Sequence, residues 1–71
     1  MTYEEIVAVL GYAGGNDQPV RILTANQVEV VGIPTSVDTD ITAHEVYLLP
    51  PGSEETEIAV SLGAIESVEL M

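Results

Sequence analysis

The apolar positions of this chain change period once. In "MTYEEIVAVL", Tyr3, Ile6, Val7 and Leu10 recur at the spacing that lines one face of a helix. Thr2 followed by Glu5 has the form of a capping box, in which each residue's side chain satisfies the other's backbone N–H. The pattern predicts a helix over residues 2–11, with Gly11 as its stop and "YAGGNDQ" (12–18) as a loop. From Val20 onward the apolar residues are β-branched and alternate, as half-buried strands require.

Five strands are expected. The first two span 19–24 and 28–35 and are joined by a tight turn at "ANQ". "TSVDTDIT" then reads as a turn, because Thr, Ser and Asp side chains compete for backbone hydrogen bonds. "HEVYLL" is the third strand, and "PPGSEET" closes it. "TEIAVSL" puts Ile58, Val60 and Leu62 on one face, Gly63 and Ala64 interrupt, and "IESVEL" is the last strand. Its Glu66 and Glu69 point outward on a register that buries Ile65, Val68 and Leu70. The expected fold is mainly β: one domain over residues 1–71, with an N-terminal helix before a small, partly open five-stranded barrel over 19–71.

Composition narrows what such a domain can do. At 71 residues the core is small, and with no cysteine its stability must come from packing or self-association. With 46% hydrophobic residues the chain is too apolar for disorder despite a formal charge of −11. That charge arises less from the twelve acids than from the scarcity of bases, since Arg21 is the one Lys or Arg. Nucleic-acid binding is driven by Lys and Arg on phosphates, so direct contact with a polyanion or an anionic membrane is disfavoured. No apolar run approaches the roughly 18 residues of a membrane span, and an acidic start is unlike a signal peptide. A cytoplasmic location is expected.

Val20 and Ile22 lead through Asn26 and Gln27 to Gly32 and, six positions later, Asp38. This spacing resembles the first motif of the Sm-like family, in which a helix precedes a five-stranded SH3-like barrel. The resemblance implies that Gly32 permits sharp bending of the second strand. Where Sm proteins carry an RNA-contacting asparagine, four residues beyond the acid, this chain has Thr42, and Ser61-Leu62-Gly63-Ala64 lacks the arginine of the second motif. The segment "LGAIESVEL" looks more like the tail of the Rof-type inhibitors of transcription termination factor Rho, acidic Sm-like proteins that engage their partner's RNA-binding surface.

Candidate chemistry is sparse. His44 adjoins Glu45, but neighbours in a strand point to opposite faces, so a strand-end role is favoured over a metal or catalytic one. Asp38-Thr39-Asp40 lacks the calcium-loop pattern and reads as a solvated turn. The serines have no triad partners and there is no phosphate loop, so no catalytic residue, metal or cofactor is assigned and an enzyme is not expected. Tyr47 is expected at the core or its rim. Two surfaces stand out: an acidic one, comprising Asp38, Asp40, Glu54, Glu55, Glu57, Glu66 and Glu69, suited to a basic protein partner; and the apolar residues Val31, Ile33, Leu48 and Leu49, whose strands look apolar on both faces and suit self-association into a ring or dimer. Direct RNA binding ranks behind both.

Overall fold

A computed structural model describes residues 1–52 and 55–71. Helix α1 (Tyr3–Gly15) is followed by strands β1 (Val20–Thr24), β2 (Glu29–Asp38), β3 (Glu45–Leu49), β4 (Ile58–Ser61) and β5 (Ile65–Leu70), with a 3-10 turn at Leu62–Ala64 between the last two.

The capping box forms at the start of α1. The Glu5 N–H donates to the Thr2 hydroxyl at 3.2 Å, and the Thr2 N–H donates to the Glu5 carboxylate at 2.9 Å. These bonds hold the Glu5 carboxyl below its ordinary value of 4.5, the Thr2 backbone contributing most and its hydroxyl next.

The helix does not stop at Gly11. It runs to Gly15 because its buried stripe is Ile6, Leu10 and Ala13, and burying Ala13 offsets the roughly 1 kcal/mol that a helical glycine costs. Gly14 also brings α1 close to β2: a Cβ there would lie 3.2 Å from the Pro34 carbonyl oxygen. Tyr3, expected on the apolar face, is instead exposed.

The five strands form one antiparallel sheet in the order β4-β3-β2-β1-β5, and β4 and β5 stand at its two ends, so hydrogen bonding does not close it into a barrel. β2 serves both halves. Its residues up to Gly32 pair with β1, and from Ile33 onward they pair with β3. At that crossover a Cβ on Gly32 would lie 2.8 Å from the Leu49 carbonyl oxygen and 3.1 Å from the Leu48 Cβ, so only glycine fits.

β2 is also longer than the sequence suggests. A bulge between Pro34 and Ser36 is followed by the pairs Ser36–Tyr47, Val37–Val46 and Asp38–Glu45, so "TSVD" is strand rather than turn. The β3 ladder satisfies the backbone groups that Ser, Thr and Asp would otherwise engage locally.

The two halves enclose one core: Val20, Ile22, Val46, Leu48, Val60, Leu62, Ile65 and Val68, together with the apolar stripe of α1. Leu70, expected inside, is 45% exposed at the strand end. The β1–β2 turn is tied by Thr24, whose hydroxyl donates to the Asn26 side chain and accepts from the Val28 N–H at 3.2 Å, while Gln27 adopts φ 69°. No described helix is long and apolar enough to cross a membrane.

Candidate interaction surfaces

Cross-strand neighbours share a face of the sheet, so the register decides which side chains meet. The expected acidic surface divides in two. On one side, Asp38 lies opposite Glu45, and Tyr47, two residues along β3, donates its phenol proton to the Glu45 carboxylate. Glu57 joins them through Thr35, whose hydroxyl donates to it at 3.2 Å. The hydrogen bond to Glu45 raises the Tyr47 phenol above its ordinary 10.0, and the charges of Glu45, Asp38 and Glu57 push it the same way. Three carboxylates thus surround one phenol. Glu66 and Glu69 are exposed on β5, at the opposite end of the strand order. Glu55 is exposed, and Glu54 lies outside the described residues.

The loop after β2 is a set of local turns. The Asp38 carboxylate accepts from the Asp40 N–H at 2.9 Å, and the Asp40 carboxylate accepts from the Thr42 N–H at 3.2 Å. Ile41 stands at its tip, 94% exposed. Among the described residues no three His, Cys, Asp or Glu side chains are grouped to hold a metal ion. His44 is half-buried just before β3, where its ring stacks on Tyr3 with centroids 5.2 Å apart and planes 11° from parallel.

The apolar set divides as well. Leu48 is fully buried in the chain's own core and has no surface to offer a second copy, because β3 alternates and Leu48 shares the inward face with Val46. Val31, Ile33 and Leu49 are half-buried on the other face, where Ile33 pairs with Leu49 and Val31 pairs with Arg21.

Beside the β4 edge runs an open groove of about 490 Å³, lined by Thr24, Ala25, Asn26, Val28 and Val30 from β1, β2 and their turn, by all four residues of β4, and by Ala64. Sequence reasoning missed this groove and the role of Glu45. The Glu45/Tyr47 alternation in "HEVYLL" could have found the latter, whereas the groove depends on how the two ends of the sheet approach one another.

No protein-family model matches this chain, and no curated protein matches it. Its surface chemistry therefore carries the functional reading.

Proposed function

We propose that this chain is a non-catalytic, acidic protein-binding module that docks on a basic protein, including one whose own ligand is a nucleic acid. The observation that carries the reading is the cluster of Asp38, Glu45 and Glu57 around Tyr47, in a chain whose one Lys or Arg lies on β1 opposite Glu69. Such a field speeds encounter with a cationic surface and makes the complex salt-sensitive. Ile41, exposed beside Asp40, supplies an apolar anchor that a charge-only surface would lack. An N-terminal helix before five antiparallel strands, with Gly32 at the crossover and Asp38 six residues on, supports an Sm-like reading of the fold, and the charge supports the comparison with Rof-type inhibitors.

The test is capture from a cell extract by the immobilised chain and by a variant carrying Asp38→Asn, Glu45→Gln and Glu57→Gln. Basic proteins released by salt from the first and absent from the second are the expected result. An unchanged set of captured proteins would overturn the proposal.

A second reading, a structural homo-oligomer, draws on the half-buried patch of Val31, Ile33 and Leu49. Size-exclusion chromatography with light scattering separates the two, since that reading requires a stable dimer or ring at all salt concentrations.

A further inference from the structure

The outer edge of β4 is a strand with backbone groups to offer. Antiparallel residues alternate between pairs that exchange hydrogen bonds and pairs that do not. The Leu62 N–H donates to the His44 carbonyl at 3.0 Å, which fixes the phase between β3 and β4. Val60 and Ile58 then bond to Val46 and Leu48, and the N–H and C=O of Ala59 and the N–H of Ser61 face away from β3, while the Ser61 C=O caps the 3-10 turn at Leu62–Ala64. Both residues are exposed and both line the groove beside the edge. Among the described residues these groups have no hydrogen-bond partner, and open strand groups next to an apolar trough suit an incoming strand.

From these features we infer that β4 and its groove accept an extended cationic segment of a partner protein as an added antiparallel or parallel strand, its apolar side chains alternating with Lys or Arg. This rests on the reading of the chain as a binder of basic proteins and assigns that binding a place. The apolar positions of the segment rest on Val28, Val30 and Ile58, of which Val28 and Ile58 are 48% and 38% exposed.

Charge selects the rest of its composition. Glu57 precedes β4, and Glu45 lies opposite Ser61. A second copy of this chain is a poorer occupant for two reasons. It brings another formal charge of −11 to whichever edge it offers, and of its two edges β5 is covered at Glu66 and Val68: the Val68 N–H donates to the Met1 sulfur at 3.2 Å, and the Met1 nitrogen donates to the Glu66 carbonyl at 3.4 Å.

The experiment titrates the full chain with a short capped peptide of alternating valine and lysine, and with a glycine–lysine peptide of equal charge. The valine–lysine peptide is expected to bind more tightly, with affinity that falls as salt rises. Ala59→Pro removes an N–H from the open side alone, where an edge strand tolerates proline, and is expected to weaken this peptide roughly tenfold. A second measurement leaves the protein unaltered: methylating one alternate set of peptide nitrogens should abolish the gain over glycine–lysine, and methylating the other set should preserve it.

Equal binding of both peptides, with no effect of Ala59→Pro or of methylation, would overturn strand addition while leaving the basic-partner reading intact. Failure of both peptides to bind even at low salt would overturn the two together. A chain that dimerises as salt rises, with Ala59→Pro preventing it, would give the edge to a second copy and overturn the inference.

Discussion

β4 and β5 are the two edge strands of one sheet, and they meet their surroundings differently. β5 is overlaid by the chain itself, with Met1 bonded to Val68 and to Glu66, whereas the Ala59 backbone groups and the Ser61 N–H of β4 open onto a groove. A free edge is a template for foreign pairing, and proteins usually blunt it. Here one edge is blunted by the segment that leads into α1 and the other, among the described residues, by nearby carboxylates alone. Those carboxylates repel another copy of this chain and attract a cationic strand, so the same charges exclude one occupant and favour the other.

The largest test of this contrast strikes the support beneath the open edge. Leu48→Ala empties a fully buried site on β3, the strand that carries β4, and should destabilise the chain by about 2–5 kcal/mol in urea unfolding. An effect on association alone, with unfolding unchanged, would return Leu48 to a surface role.

Next comes the crossover that joins the two halves. Gly32→Ala sets a methyl group 2.8 Å from the Leu49 carbonyl oxygen and should cost about 1–3 kcal/mol by the same measurement.

A smaller effect is expected at the covered edge. Thr2→Ala breaks the capping box that fixes the start of α1, with a loss of about 1 kcal/mol. In amide hydrogen exchange it should speed the Val68 N–H toward the rates of Ala59 and Ser61, which in the unaltered chain should already exceed those of Val60 and Ile58. Equal exchange along β4 would refute the assigned phase. Glu5, held below 4.5 by the same box, contributes stability that is present above that value and lost as pH falls through its lowered pKa, and Thr2→Ala, which keeps the backbone N–H that contributes most and deletes the hydroxyl, should lessen this acid dependence without removing it.

The smallest effect is alkaline. With its phenol raised above 10.0, Tyr47 binds its proton more tightly folded than unfolded, so its contribution is complete below 10.0 and disappears as pH rises through the folded value. Tyr47→Phe should flatten the alkaline fall in stability, and phenolate absorbance in the unaltered chain should show one tyrosine titrating late.

Much of the architecture is legible in the residues alone. Period and cap chemistry place α1, five strands follow in the expected order, and Gly32 sits where a side chain cannot. The first two are local, so composition and spacing encode them; Gly32 is marked only through the resemblance to the Sm-like motif, and the reason for it is the approach of Leu49. The boundaries that moved did so through distant partners: Ala13 draws α1 past Gly11 by burial against the sheet, and β3 draws "TSVD" into β2 by taking its backbone bonds.

The candidate surfaces were less legible. Which acids exist is a matter of sequence, but only strand register sets Asp38 and Glu45 opposite one another, beside Tyr47 and Glu57, and sends Glu66 and Glu69 to the far end of the strand order. The stack of Tyr3 on His44 and the cover of Met1 over β5 join residues far apart along the chain, with no periodic signal to announce them. By itself the sequence determined the helix, the strands and the acidic sign of the surface, because each follows from side-chain size, charge and local backbone preference, whereas the need for glycine at position 32 comes from the approach of Leu48 and Leu49 on β3. Tertiary structure alone decided that Leu48 is core, that one edge is closed and that the other lies open along a groove, because pairing phase and the meeting of sheet ends are fixed only when all five strands pack around one interior.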